Sequence, residues 1–370
     1  MGGITASVLA LCKGLRYYGH EVKVLGSSNK HKSFKDGDNY FIKSFPAFYY
    51  PDMRISFAKR DPLIRELEEW KPDIIHVQTE GTALRFAKVI MKHCKIPIVM
   101  TCHTDYGHFL FGKRKNSPPV KALASFIGGI LYKKASKVVA PSQKASEFPF
   151  LRKVKDRVVV IPNGMELEKY RKQFSDEERH EFRMSMGIDD NTVVLVSVSR
   201  ISKEKNIREI ISFLPKLQEK FKDVKLLVVG DGPDKEYLEK MTKELNLNDS
   251  IIFTGRIPSK DVWQYYAAGD VFVSGSTFEV HSMSYLEALA DGLPLLCRED
   301  EALKGVLEHG ENGFIYHTEE EYLDYAYKLL SNDELRHGMA NCSYNKAEEF
   351  SSESFASSAL KVYDEVINNK

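Results

Sequence analysis

Two glutamates eight positions apart, Glu279 and Glu287, stand in the stretch Ser276-Thr-Phe-Glu279-Val-His-Ser-Met-Ser-Tyr-Leu-Glu287. Ionised carboxylates accept hydrogen bonds and supply no proton, so a pair of them suits a diol. The first follows a strand-like run, Asp270-Val-Phe-Val-Ser274, and the second falls inside an apolar-periodic run. Eight residues at about 3.6 per turn rotate by roughly 800°, which predicts that both point to one side of a helix start. A helix start also offers free backbone N–H groups, which attract a phosphate. Taken alone, the pair also reads as a helix cap and a surface helix residue. Taken with an anion cradle, it is the chemistry that a sugar nucleotide needs.

Cations stand in a matching place. The run Thr192-Val-Val-Leu-Val-Ser-Val198 precedes Ser199-Arg200-Ile-Ser-Lys-Glu-Lys205. Arg200 and Lys205 therefore leave the carboxyl end of a strand, where open α/β sheets bind ligands. Two positive groups there would neutralise a diphosphate leaving group, and solvated surface cations are the plainer alternative. His103, in Thr101-Cys-His-Thr-Asp-Tyr106, follows the strand-like run Ile96–Met100, again at a ligand-bearing end. A capping or core histidine is the alternative there. Asp105 and Tyr106 beside it are candidates for contacts with an acceptor.

These residues recur in an order that resembles the retaining family 4 glycosyltransferases of the GT-B fold. The resemblance rests on Gly2-Gly3, Arg200, Lys205 and the Glu279/Glu287 pair. Further pieces are Ile161-Pro-Asn-Gly164, Val229-Gly-Asp-Gly-Pro233, Phe253-Thr-Gly-Arg256 and Glu311-Asn-Gly-Phe314. It covers nearly the whole chain. It implies that Glu279 bonds the donor sugar and Glu287 the ribose, that His103 bonds the sugar, and that Arg200 and Lys205 clamp the diphosphate. It also implies that Gly2 and Gly3 bring backbone close to the donor diphosphate or to the acceptor, and that Gly255 and Arg256 shape the nucleotide pocket, a plain turn being the alternative for the latter pair. His281, Ser282 and Met283 would line the donor site, although family members usually have Gly where Ser282 stands. No metal and no cofactor is expected, because the donor UDP-sugar is itself a substrate. The expected fold is two doubly wound Rossmann-like domains facing a cleft.

Strand-like runs alternate with helical stretches along both halves, which independently predicts parallel sheets flanked by helices. The 370 residues are enough for two domains. Pro162-Asn-Gly164 punctuates the junction. We place the domains at 1–168 and 169–353, with a last helix over 354–368 that the resemblance returns to the first domain. The chain starts at the Gly-Gly loop, so the resemblance implies that the first, central strand of the amino-terminal sheet is absent. Its loss would remove several buried side chains at about 1.5–3 kcal/mol each.

The overall charge of +1 conceals an asymmetry. Residues 1–172 carry 31 Lys and Arg against 15 Asp and Glu, and the remainder carries 22 against 37. One half is thus built to face an anionic surface. No nucleic-acid signature is present, which favours an anionic membrane. The segment 108–137 supports this with Phe109-Leu-Phe-Gly-Lys113-Arg114-Lys115, then Lys121, a run of apolar residues, and Lys133-Lys134. Such a composition suits a helix lying on a bilayer. Bacterial diacylglycerol glucosyltransferases are similar in this part. A core helix with solvated lysines is the alternative. The five cysteines, Cys12, Cys94, Cys102, Cys297 and Cys342, have no metal spacing, as in a reducing cytoplasm. The expectation is a peripheral enzyme of the inner membrane face that moves a hexose, glucose by preference, from a UDP-sugar to a lipid such as diacylglycerol. A polymer, protein or soluble acceptor, and a non-catalytic partner subunit, are the competing expectations.

Overall fold

The computed structural model describes residues 2–47, 50–105, 117–172 and 174–368. The chain divides into two compact units. One, called here the carboxy-terminal unit, comprises Met1–Ser7 and Met165–Ser352. The other, the amino-terminal unit, comprises Val8–Gly164 and Glu353–Lys370.

In the amino-terminal unit, β1 (Val24–Ser27), β2 (Phe34–Asp36) and β3 (Asn39–Ile42) form a sheet in the order β1-β3-β2. The pair β4 (Phe45–Ala47) and β5 (Tyr50–Ile55) is antiparallel. A second sheet, entirely parallel, runs β6 (Ile75–Val77), β7 (Ile98–Thr101), β8 (Lys137–Ala140) and β9 (Val158–Val160). Among the described residues β1 bonds only β3 and β6 only β7, so the two strands lie in separate sheets.

Helices cover both pieces. After α1 (Gly3–Tyr17), α2 (Pro62–Trp70) begins at a cap in which the Asp61 carboxylate accepts the Leu63 N–H at 3.1 Å. Ile64 and Leu67 of α2 share a core with Tyr40, Ile42, and Phe86 and Ile90 of α3 (Thr82–Cys94). Leu25 of β1 and Ile75 of β6 pack on that same core, so one layer of helices bridges the two sheets. Leu11 and Leu15 of α1 meet Val99, Val139 and Ile161 of the parallel sheet.

The α4 helix (Pro118–Leu131) starts with prolines in the first turn, where a missing N–H is no loss. A 3₁₀ segment, Pro149–Arg157, kinks at Val154 and packs against it. Gly128 permits this contact. A Cβ there would lie 1.8 Å from the Phe150 carbonyl oxygen.

The carboxy-terminal unit holds β10 (Val193–Val198), β11 (Val224–Val229), β12 (Ile251–Gly255), β13 (Val271–Ser274), β14 (Leu295–Arg298) and β15 (Gly313–Tyr316). All pair in parallel, in the order β12-β11-β10-β13-β14-β15. The strands are Val/Leu/Ile-rich because both faces are covered. On one face Ile207, Ile210, Ile211, Leu214 and Leu217 of α5 (Ile207–Lys220) recur at helical spacing. On the other, Tyr285, Leu286 and Leu289 of α6 (Met283–Asp291) join Phe272 and Leu295. The final helix, α7 (Ser352–Asn368), lays Phe355, Ala359, Val362, Tyr363 and Val366 into the amino-terminal core, at the spacing an amphipathic helix requires.

The Gly128 contact makes a direct prediction. Gly128→Ala forces α4 off the 3₁₀ segment, with an expected loss of about 1–3 kcal/mol. Urea unfolding of the amino-terminal unit, followed against the parent chain, checks it, and an unchanged midpoint would contradict the close packing.

Candidate functional site

Strand order reverses direction between β10 and β13, which are neighbours in the sheet. A crevice at the carboxyl ends of such strands is the usual ligand position of an open α/β sheet. The loops leaving these two strands carry the principal residues. After β10, a 3₁₀ turn, Lys203–Lys205, leads into α5. After β13, an extended loop passes Glu279 and reaches α6. Lys205 Nζ donates to Glu279 Oε1 at 2.6 Å, and the Glu279 side chain is only 9% exposed. The two loops are tied together beside this ion pair. Asn206 Nδ2 donates to the Gly275 carbonyl at 3.2 Å, and the Ser276 hydroxyl donates to the Glu204 carbonyl at 3.3 Å. Asp300, beyond β14, accepts the Glu279 main-chain N–H at 3.3 Å.

The predicted helical rotation from Glu279 to Glu287 does not occur. Ser282 is extended, with φ −75° and ψ 122°, and α6 begins only at Met283. Glu279 lies in the preceding loop and is neither a helix residue nor a cap. Glu287 is the sole member of the pair on the helix. Its two carboxylate oxygens are taken by separate phenols. Tyr170 donates to Oε1 and Tyr266 to Oε2, each at 2.7 Å. Burial raises the Glu287 pKa, and the two tyrosine hydroxyls oppose that rise. Each oxygen keeps a further lone pair for another hydroxyl.

The start of α6 suits an anion. Ser282, its N-cap, makes no side-chain bond to the first turn; its hydroxyl lies 3.0 Å from Ser284 Oγ instead. Gly3 is the first residue of α1, not part of a loop, and its Cα faces the Met283 side chain closely enough that an added Cβ would lie 3.3 Å from Met283 Cγ. Gly2 is exposed with open space around it. His281 is buried, its ring centroid 5.8 Å from that of Phe350.

On the other side of β10, Gly230 and Gly255 form a bridge, the Gly230 N–H donating to the Gly255 carbonyl at 3.1 Å. A Cβ on Gly230 would lie 1.9 Å from the Ser199 carbonyl oxygen, so glycine allows the β11 loop to close on the loop that carries Arg200. Arg200 and Arg256 are exposed. Asn312 instead folds its own turn, accepting from the Glu308 N–H at 2.8 Å and donating to the Val306 carbonyl at 3.0 Å. The carboxy-terminal unit thus brings together Lys205 with Glu279, and Gly3 with Met283. It holds Glu287 in a separate tyrosine clamp.

In the amino-terminal unit, His103 follows β7, with Nε2 2.9 Å from Gln78 Oε1. Burial lowers its pKa to about 4, so the ring is neutral at pH 7. Bonded to a carbonyl oxygen, Nε2 is the donor, which leaves Nδ1 as an acceptor. Asp105 is buried nearby in sequence. Lys121, Lys133 and Lys134 are exposed. Tyr106, Lys113, Arg114 and Lys115 lie outside the described residues.

Several partners escaped the sequence reading. Tyr170 and Tyr266 reach Glu287 from 117 and 21 positions away. His76 bridges the Tyr363 hydroxyl at 2.5 Å and Thr101 Oγ1 at 2.7 Å, and burial lowers its pKa to about 3. Tyr132, fully buried, donates to Glu80. Asp300 had one readable signal, its position directly after a strand.

Among the described residues no group of three or more His, Cys, Asp or Glu is arranged to hold a metal ion. No described helix is long and apolar enough to cross a membrane.

Two α/β units, one a doubly wound parallel sheet with a cation and a carboxylate at its strand switch point, define the class of fold. Comparison with known proteins agrees. The family described as Glycosyltransferase Family 4 matches residues 1–169, and Glycosyl transferases group 1 matches residues 178–346. The Alpha-monoglucosyldiacylglycerol synthase of Streptococcus pneumoniae is 30% identical, over 100% of this chain and 84% of its own. That of Acholeplasma laidlawii is 27% identical, over 100% and 96%. Anabaena HepE, solved in complex with UDP, superposes with a TM-score of 0.74 at 20% identity, covering 98% of this chain and 96% of its own. The chain belongs to the family 4 glycosyltransferases of the GT-B fold.

The two histidines predict a pH dependence. Their folded pKa values, about 3 and about 4, lie below the ordinary 6.5. An unfolded chain therefore takes up their protons first as pH falls. The stability they confer is complete above about pH 6.5 and is lost between there and pH 3–4. Urea unfolding of the amino-terminal unit should show no such change from pH 8 to 7. By pH 5 it should have lost up to about 2 kcal/mol per histidine. His103→Gln should remove part of that slope.

Proposed function

We propose that this glycosyltransferase is a retaining, metal-independent hexosyltransferase that moves glucose from UDP-glucose to diacylglycerol or a glycosylated diacylglycerol with an α-linkage, at the inner face of the cell membrane. The observation that carries the donor side is the Lys205–Glu279 contact at the β10/β13 switch point. The lipid acceptor is supported by the full-length relatives, both diacylglycerol-linked synthases by name, and by the basic amino-terminal half.

In this reading the carboxy-terminal unit, which spans most of 169–353, holds the donor. Glu279 accepts hydrogen bonds from the sugar hydroxyls, Lys205 and Arg200 neutralise the diphosphate, and Glu287 accepts from the ribose. The open first turn of α6, with Ser282 and Met283 at its start and Gly3 against it, presents N–H groups to the phosphates. Gly255 and Arg256 border the nucleotide. Cationic side chains and the helix start do the work for which a divalent metal would otherwise be needed. The amino-terminal unit, within 1–168 plus the last helix, takes the acceptor. His103 offers a neutral ring to the sugar, with Asp105 and Tyr106 beside the acceptor.

The C1–O bond to the diphosphate breaks as the acceptor oxygen bonds C1 from the same face. The acceptor proton passes to the departing phosphate oxygen, so the products are the α-glycoside and UDP. No protein nucleophile is needed.

Incubation with UDP-glucose and vesicles, with and without diacylglycerol, tests the acceptor. A glucosylated lipid is expected, and product formed only with soluble acceptors would reject the lipid reading. Glu279→Ala or Lys205→Ala should lower turnover by about a hundredfold or more, far beyond what the modest fall in thermal midpoint from the unpaired charge accounts for. Equal turnover in these variants would reject the donor site, and absence of any UDP-glucose hydrolysis or transfer in the parent would favour a non-catalytic subunit.

Tyr170→Phe removes one donor from Glu287, a loss of about 1 kcal/mol or fivefold in UDP affinity. Burial then acts against fewer donors, so the Glu287 pKa rises further. The acid limb of UDP binding should move to higher pH, measured by titration calorimetry across pH 5–8.

A further inference from the structure

Glu209, in the first turn of α5, has a side chain only 18% exposed and no part in the donor chemistry above. Its two carboxylate oxygens serve different elements. Oε1 accepts from Arg298 Nη1 at 2.7 Å and from the Tyr316 hydroxyl at 3.1 Å. These donors are the last residues of β14 and β15, and they stand opposite each other in the strand register. Oε2 accepts from Asn206 Nδ2 at 2.7 Å. One carboxylate thus ties two strand ends to the residue that follows Lys205.

Asn206 depends on that tie. Its φ of 50° and ψ of 34° are left-handed, a conformation that residues other than glycine adopt at a cost. An asparagine at a helix N-cap ordinarily accepts an N–H of the first turn. Asn206 makes no such bond. Its amide donates to Glu209 instead and, at 3.2 Å, to the Gly275 carbonyl. Glycine permits that approach, since a Cβ on Gly275 would lie 2.8 Å from the Asn206 carbonyl oxygen. Packing braces the turn only in part. Ser202, Lys203, Asn206 and Arg208 line an open pocket of about 220 Å³ with Asp234 and Tyr237. The end of β14 also governs the other half of the ion pair. Two residues beyond Arg298, Asp300 accepts the Glu279 N–H at 3.3 Å. Lys205 is therefore referenced to that strand end through Asn206 and Glu209, and Glu279 through Asp300.

We infer that Glu209 is a positioning residue for the donor site: held by Arg298 and Tyr316, its carboxylate fixes the Asn206 turn and so sets where the Lys205 ammonium stands beside Glu279. The inference rests on the donor-site reading of the proposed function and adds a residue which that reading does not use. Lys205 meets the diphosphate in that reading. A small shift of the turn then weakens the clamp without removing any charge from it. The competing role, fastening α5 to the sheet and nothing more, would cost stability in a way that is independent of Lys205.

The test is a double-mutant cycle in the full chain, Glu209→Gln against Lys205→Ala. It is read as UDP affinity by titration calorimetry and as turnover of UDP-glucose. The glutamine keeps the volume of the side chain. Its single oxygen goes to the charged Arg298, so its amide nitrogen faces the Asn206 amide and cannot accept from it. Turning the Asn206 amide over would restore that link only by breaking the one to Gly275. Arg298 and Tyr316 stay partnered, and a thermal melt checks that the variant is folded. Glu209→Gln should weaken UDP binding about fivefold and lower turnover about tenfold or more. Glu209→Ala, which also strands Arg298, should do at least as much. In the Lys205→Ala background Glu209→Gln should change either quantity by less than about twofold. Equal effects in both backgrounds would overturn the positioning role and leave Glu209 a structural residue. Unchanged binding and turnover in Glu209→Gln, beside a defective Lys205→Ala, would also overturn it and leave the donor reading standing. No defect in Lys205→Ala, or no UDP binding by the parent chain, would remove both.

Discussion

The Lys205–Glu279 ion pair depends on a long-range fact, the pairing of β10 with β13. The two residues are 74 positions apart. They meet because parallel strands deliver all their following loops to the same edge of the sheet, and because these two strands are neighbours. The contact is nearly withdrawn from solvent, so removing either member leaves a charge without its partner, which costs more than the pair itself gains. The protein limits this by holding the loops rigidly. The Asn206–Gly275 and Ser276–Glu204 bonds fix the backbone on both sides, and Asp300 holds the Glu279 N–H. A carboxylate is thereby kept ready for hydroxyls within reach of an ammonium suited to a phosphate.

The second glutamate is treated differently. Among the described residues the hydrogen-bond partners of Glu287 include no cation; two phenols hold it. A neutral clamp orients the carboxylate without consuming its charge. Burial still pushes its pKa upward, against the opposing effect of the two hydroxyls. One segment of chain therefore contains two carboxylates in contrasting settings. Glu279 is paired with the Lys205 ammonium. Glu287 is a fixed acceptor whose geometry is set by Tyr170 and Tyr266.

Much of this was readable in advance, for local reasons. The β-branched runs at Val193–Val198 and Lys137–Ala140 are strands to within a residue, since strands buried on both faces need little beyond continuous apolar composition. The positions of Lys205 and His103 just past strand ends followed from the same parallel architecture. The rotation argument for Glu279 and Glu287 failed because it assumed that the helix began four residues too early. An extended Ser282 breaks the period, and nothing in the local sequence marks it. The tyrosine clamp was invisible for a different reason. Tyr170 is 117 positions from Glu287, and a phenol in a loop carries no periodic signal. The Gly128–Phe150 approach is likewise a property of two elements meeting, not of either one.

Net charge misleads most about the donor site. The acidic remainder of the chain, 37 acids against 22 bases, is the part that would hold a highly anionic nucleotide. The contradiction disappears once distance is considered. Screening at physiological salt limits exposed charges to about 8–10 Å, so a bound diphosphate responds to its immediate neighbours and not to the total. Under the proposed function those neighbours would be Lys205 and the start of α6. The first 172 residues, with 31 bases against 15 acids, present the opposite case. There the excess would suit an extended anionic partner, against which many weak, screened contacts would act together. The proposed function would thus use charge in two regimes: a few aligned groups where a small anion must be placed, and a broad excess where a surface must be found.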